Sequence, residues 1–149
     1  MAIRRRDVNV AASASKQIGA LSTAGVAAAF SDAVRIETDD CVFLYVSGQT
    51  PIDDDGRTVG TTMAEQTRQV LERIRRIVEH EGGRMADIVR VRVFVTDIGA
   101  EALRQVHQVR NEYFPAGSKP ASTLVRISGI IRPGAMIEID ADAVITKGL

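Results

Sequence analysis

Residues 88–97 read Ile-Val-Arg-Val-Arg-Val-Phe-Val-Thr-Asp, and their alternation of side-chain types decides the fold. A period of two is typical of a β-strand that buries one face and leaves the other open. The alternation predicts that one face of the strand carries Val89, Val91, Val93 and Val95. The other face then carries Arg90, Arg92 and Phe94. The stretch lies between two segments of helical periodicity, so this strand belongs to a mixed α and β domain.

A helix is predicted on each side of this strand. Residues 62–65 read Thr-Met-Ala-Glu, which is the spacing of a capping box, and apolar residues then recur at helical period as far as Gly82. A glycine at that point is typical of a helix C-terminus. The second helix is predicted over 99–113, and Pro115 prevents its continuation.

Four further segments have the composition and length of strands. They are residues 33–38, 41–47, 122–127 and 136–145. The predicted order is therefore β-β-α-β-α-β-β, which indicates one mixed sheet with both helices on a single face. No helix remains to cover the second face, and an uncovered sheet face indicates self-association.

Composition excludes several functional classes. Of the 149 residues, 45% are hydrophobic and 26% charged, and the 19 basic residues balance 19 acidic ones. A neutral chain without tryptophan offers neither a polyanion-binding field nor a base-stacking surface, so no nucleic-acid partner is expected. No apolar run reaches the length of a membrane span, so no membrane association is expected. The single cysteine, Cys41, fits a reducing compartment, and a cytoplasmic location is predicted.

The first 29 residues are predicted to form an irregular N-terminal arm. They are rich in alanine, serine and glycine without a clean period, except for a short helix expected over residues 15–21. The three arginines Arg4–Arg6 are interpreted as part of a solvated tail. The folded domain is then predicted to span residues 30–149.

Six short motifs resemble those of the RidA/YjgF/UK114 family. They are V-S-G-Q-T-P at 46–51, E-Q-T-R-Q-V-L at 65–71, V-R-V-F-V-T-D at 91–97, N-E-Y-F-P at 111–115, K-P-A at 119–121 and I-E-I-D at 137–140. Each motif alone is a weak signal. All six occur in the family's order, and the resemblance spans most of the chain. The sequence therefore resembles that family.

The resemblance implies an α+β fold of the chorismate-mutase-like type, with a mixed β-sheet and two helices on one face. It also implies a homotrimer with a central β-barrel and a small-molecule site in each cleft between subunits. Typical members hydrolyse reactive enamines and imines to a keto acid and ammonia. Neither a cofactor nor a metal is implied.

The sequence departs from the family pattern at three site positions. The family's carboxylate-binding arginine stands in a P-A-R motif, where residues 120–123 read Pro-Ala-Ser-Thr and place Ser122. A hydroxyl cannot replace a bidentate guanidinium. Arg126 lies on the same strand face but about 13 Å along it. Phe30 replaces a tyrosine, and His107 replaces an asparagine. The identity of the residue that would hold a substrate carboxylate therefore stays open.

Other site positions match the family. Ser47 and Gln49 lie in the V-S-G-Q motif, and Glu138 matches the glutamate that holds or activates the attacking water. Glu138 is the predicted catalytic base, and Ser47, Gln49, Phe30, His107 and Ser122 are predicted to bind substrate. A structural alternative for Glu138 is an ion pair with Arg90 or Arg92 on a neighbouring strand.

The functional hypothesis is a hydrolase of the enamine/imine deaminase type, acting on a small unsaturated or aminated acid between subunits. Whether catalysis persists without the family arginine is left open by the sequence. The alternative is a non-catalytic trimer of the same fold that binds a small molecule. A chaperone-like or nucleic-acid-directed role, as claimed for some relatives, is disfavoured by the neutral charge.

Overall fold

The computed structural model of the protein describes residues 2–10 and 28–148. The six strands are β1 Arg4–Val8, β2 Ala33–Glu37, β3 Cys41–Gln49, β4 Ile88–Val95, β5 Ala121–Arg126 and β6 Ile137–Thr146, and the two helices are α1 Met63–His80 and α2 Ala100–Tyr113. The strands form one sheet in the order β1-β2-β3-β6-β4-β5, and only β4 and β5 pair in parallel. The α+β fold with a mixed sheet and two helices on one face is confirmed.

Helix α1 begins as its capping box predicts. The Thr62 hydroxyl accepts a hydrogen bond from the Glu65 backbone N–H at 3.1 Å. The Glu65 carboxylate accepts in return from Thr61 N–H, at 2.8 Å, one residue before the cap. The first bond satisfies an N–H group that the first helical turn leaves without a partner, and the second holds the chain before the N-cap against the helix. The buried stripe of α1 then packs on the sheet, with Leu71 and Ile74 fully buried.

The expectation of an irregular arm is wrong for residues 4–8. This segment is strand β1, paired antiparallel with β2. Arg6 donates to the Glu81 carboxylate at 2.6 Å, and the Glu81 side chain is only 3% exposed. A buried carboxylate needs a cation partner, and both Arg6, 75 positions away, and Arg35 of β2 supply one. A local pattern cannot reveal such a partner. The helix predicted over residues 15–21 lies outside the described residues.

A bulge near the start of β4 corrects one predicted face. Ile88 pairs with Ala143 and Arg90 with Asp142, so two steps along β4 oppose one step along β6. The extra residue, Val89, is 49% exposed, and Ile88 is buried in its place. A bulge of this kind shifts the side-chain alternation by one position.

The sheet face opposite the helices is uncovered in the described part of the chain. On β6 the burial pattern alternates strictly, with one set of side chains packed under the helices and the other on this open face. The open face carries partly exposed apolar side chains from the central strands, namely Val34, Ile36, Phe43, Tyr45 and Val144. An apolar surface of this extent favours burial against further copies of the chain.

We expect the protein to be a trimer in solution. Light scattering at micromolar concentration should give about three times the chain mass of 16.1 kDa. Tyr45 is 48% exposed on the open face, and Tyr45→Glu should shift the mass towards one chain because a carboxylate cannot be buried there unpaired. A wild-type protein of single-chain mass would contradict the expectation.

Candidate functional site

Glu138 lies near the start of β6, on the open face of the sheet. It pairs across the sheet with Phe94, so its side chain projects away from the helices. The carboxylate is partly buried and has no hydrogen bond or ion pair with any described residue. Burial raises the pKa of Glu138, and the negative charge of Asp140 raises it further. A carboxylate in this state is able to accept and return a proton.

Gly48 makes room for this carboxylate. Strand β3 departs from regular pairing with β6 between Val46 and Gln49, and Gly48 lies in that irregular stretch. A Cβ atom placed on Gly48 would overlap the Oε1 atom of Glu138. The glycine of the V-S-G-Q motif therefore allows Glu138 to lie directly against the backbone of β3.

The alternative in which Glu138 pairs with an arginine is wrong. Arg92 donates to Asp140 at 2.8 Å and to Asp142 at 3.2 Å, so its guanidinium is engaged by the next two carboxylates along β6. Arg90 faces Asp142 in the sheet register and makes no ion pair with a described residue. Within the described part of β6, Glu138 is thus the acidic residue that lacks a cation partner.

Phe30 and Ser47 meet in one groove. This groove has a volume of about 400 Å³, and Arg5, Asp7 and Val34 also line it. The Ser47 hydroxyl donates to the backbone carbonyl of Ser31 at 2.6 Å, which fixes the segment before β2 beside β3. Val34 and Asp7 pair with each other on the open face, so the groove lies on the same side of the sheet as Glu138.

Gln49 does not line a surface, and its predicted role in the pocket does not fit this position. Its side chain is fully buried. Its amide nitrogen donates to the Ser47 carbonyl at 3.0 Å, and its amide oxygen accepts from Arg73 of α1 at 3.3 Å. Strand alternation across the bulge turns Gln49 towards α1, and its hydrogen bonds tie that helix to β3.

Ser122 and His107 lie on the other side of the sheet. Ser122 pairs with Val91, which is buried beneath the helices, so the serine hydroxyl projects on the helix side. His107 is exposed on α2 and lines a cleft of about 200 Å³ together with Phe114 and Lys119. The predicted site residues therefore form two groups on opposite faces, and one chain cannot bring Glu138 and Ser122 together.

Sequence reasoning missed Arg110. This residue lies three positions after His107 on α2, lines the same cleft and donates from Nη2 to the Ser122 hydroxyl at 2.8 Å. The signal was present, because residues three apart share a helix face. In the structure Arg110 is buried beside Val106 and Val109 on α2. A charged side chain is costly to bury there unless it has a partner.

The described residues contain neither a candidate metal site nor a helix that could span a membrane. No group of three or more histidine, cysteine, aspartate or glutamate side chains within residues 2–10 and 28–148 has the arrangement of a metal site. Over the same residues, no helix combines the length and the apolar character that crossing a bilayer requires.

Comparison with known proteins shows the family to which the chain belongs. The family model described as Endoribonuclease L-PSP matches residues 21–145. A RutC family protein of Pyrococcus abyssi is 35% identical over 115 residues, which is 76% of this chain and 84% of that protein. The chain belongs to the Endoribonuclease L-PSP family. A RutC family protein of Pyrococcus horikoshii is 39% identical over 102 residues, covering 68% of this chain and 78% of the relative.

Solved structures give the same result. A member of the YjgF/YER057c/UK114 family from Mycobacterium tuberculosis matches with a TM-score of 0.71 and 31% identity, covering 95% of this chain and 100% of that chain. A protein of unknown function of the conserved Rid family from Yersinia pestis matches with a TM-score of 0.72 and 28% identity. The match covers 94% of this chain and 98% of that chain. The resemblance of the six motifs to this family is thereby confirmed.

The raised pKa of Glu138 predicts a pH-dependent effect on stability. A carboxyl group whose pKa is higher in the folded than in the unfolded state destabilises the fold once it ionises, so the cost appears as the pH rises above about 4.5. We expect Glu138→Gln to raise the melting temperature at pH 7 and to have no effect near pH 4.

Calorimetry at both pH values measures this difference. Asp142→Asn is the matched control, because it removes a paired carboxylate from the same face and should lower the melting temperature at pH 7. If Glu138→Gln is less stable than wild type at pH 7, the carboxylate has a cation partner and the expectation is wrong.

Proposed function

We propose that the protein hydrolyses a small imine, or an enamine after its tautomerisation to the imine, in a cleft between subunits. The observation that carries this proposal is the state of Glu138: a partly buried carboxylate on the open face, without a cation partner among the described residues and with a raised pKa. An ion-paired carboxylate would be held in its charged form and would be a poor base. Glu138 has no such constraint.

The reaction needs one group that moves a proton in both directions. Glu138 removes a proton from a water molecule as the water oxygen bonds to the imine carbon. The electron pair of the C=N bond moves to nitrogen, which takes up a proton from solvent. Glu138 returns its proton to the amine of the resulting carbinolamine, and the C–N bond breaks. The carbinolamine hydroxyl releases its proton to solvent as the C=O bond forms, and a carbonyl compound and ammonia leave. One water is consumed for each imine.

A second copy of the chain would complete the site. Glu138, Phe30 and Ser47 lie on the open face, whereas Ser122 and His107 lie on the helix side of the edge strand β5. Association through the open face would bring the two groups together from neighbouring subunits, which supports a homotrimer with clefts between subunits. The ligand is then a small molecule that contacts both chains.

A non-catalytic binding protein of the same fold is the alternative. It is favoured by Ser122, which leaves strand β5 without the arginine that typical relatives carry. The name of the family model refers to cleavage of RNA. We do not propose that activity here, because 19 basic and 19 acidic residues give the chain no net attraction for a polyanion.

Ammonia release from 2-iminobutanoate and from a panel of other imines generated in solution tests the proposal. Glu138→Gln should reduce turnover at least tenfold while the trimer stays intact, since loss of a general base typically costs about 10²–10⁴-fold. Gly48→Ala should have a similar effect, because the added Cβ displaces the Glu138 carboxylate.

The control for this assay is Asp142→Asn, which changes a carboxylate on the same strand and face. Its turnover should remain within a few-fold of wild type. Full activity of Glu138→Gln would exclude Glu138 as the base, and no turnover of any imine by the wild-type trimer would favour the binding protein.

A further inference from the structure

We propose that Arg110 and Ser122 together bind the carboxylate of a small organic acid. This proposal rests on the proposed function for the choice of ligand. It goes further because it names a substrate class and a residue that binds it. The Arg110 guanidinium reaches from α2 to the exposed hydroxyl of Ser122 on β5, with an Nη2–Oγ distance of 2.8 Å. The pair lies at the edge of the sheet, beside the 200 Å³ cleft that Arg110 lines.

Arg110 is a buried cation without an acidic partner among the described residues. It is only 9% exposed, and its guanidinium makes one hydrogen bond and no ion pair with a described residue, the hydrogen bond to Ser122. Burial lowers the pKa of Arg110. An arginine stays protonated at neutral pH, so the charge persists at a place where charges are seldom left uncompensated. An anion from solution would supply the missing compensation.

The donors that remain on the pair match a carboxylate. A guanidinium has five N–H donors, and Arg110 uses one of them on Ser122. None of its other nitrogens is both fully buried and unpaired, and the Arg110 side chain lines the cleft. The Ser122 hydroxyl accepts from Arg110 and is therefore free to donate its own proton. Two adjacent donors of this kind can each bind one oxygen of a carboxylate.

The walls of the cleft favour a small anion. Besides Arg110 it is lined by His107, Asn111, Phe114, Lys119 and Pro120, and none of these residues is acidic. The Lys119 ammonium bonds the neutral Asn111 side chain at 2.8 Å, so a second positive charge stays available. A volume of about 200 Å³ is below that of sites for drug-sized ligands, which indicates a ligand of few heavy atoms.

In this arrangement Arg110 of helix α2 supplies the positive charge that an arginine at position 122 of strand β5 would otherwise supply. Strand β5 has no arginine at position 122, but the serine there is small enough for the longer Arg110 side chain to reach it. A guanidinium at position 122 would instead face a like charge at contact distance. Serine at 122 and arginine at 110 are therefore complementary choices for one binding function.

Calorimetric titration of the full-length protein with 2-oxobutanoate tests this site. This stable keto acid has the carboxylate of the imine substrate but no bond to hydrolyse. Arg110→Met and Ser122→Ala should each weaken binding at least tenfold. Arg104→Met is the matched control, because Arg104 lies on the same helix, exposed and paired with Glu101, and its loss should leave the affinity unchanged.

Each further result supports or overturns the proposal. The methyl ester of 2-oxobutanoate should not bind, since it lacks the charge. If Arg110→Met does not fold, Ser122→Ala decides alone, because it removes only one exposed oxygen. Undiminished binding by Ser122→Ala and Arg110→Met, or no binding by wild type, overturns the site. Tighter binding of inorganic phosphate at these residues would overturn the assignment to carboxylates.

The titration also separates this site from the proposed hydrolysis. 2-Oxobutanoate has no C=N bond and binds without reacting, so its affinity reports on Arg110 and Ser122 whether or not Glu138 catalyses hydrolysis. Binding that depends on Arg110 in a protein without turnover would refute the hydrolase and leave the carboxylate site in place. Turnover that is insensitive to Arg110→Met would refute the site and leave the hydrolase.

Discussion

The alternation of side chains along β6 is the constraint on which the rest of the structure depends. This strand lies between β3 and β4, so its two faces determine what both neighbours bury. Ile137, Ile139 and Ala141 pack under the helices, while Glu138 and its polar neighbours are directed to the other side. Sheet pairing alone thus holds a carboxylate on a largely apolar surface that no helix of the described chain covers.

The charges on that surface are distributed unequally. Arg92 binds Asp140 and Asp142, and Glu138 has no cation partner within residues 2–10 and 28–148. The bulge at Gly48 provides the space into which Glu138 fits. An unpaired ionisable group costs stability, and such a cost is common where a group must change its protonation state. On the helix side Arg110 has the same character, with a buried charge and a single neutral partner.

Much of the fold could be predicted from local patterns. The capping box at Thr62, the alternation of β4 and that of β6 each act over a few residues, and the helices and central strands lie where those patterns placed them. Strand β1 could not be predicted in this way. Its backbone pairs with β2, and Arg6 binds Glu81, at separations that no periodicity encodes.

The candidate site divides in the same manner. The sequence by itself determined the family motifs, the two helices on one face and the presence of a glutamate on the opposite face of β6, because alternation is a property of neighbouring residues. Only the tertiary structure decided that Gln49 is buried, that Arg92 binds other carboxylates than Glu138 and that Arg110 reaches Ser122. These depend on distances between separate elements, where the length of one side chain and the burial of another determine which charges meet.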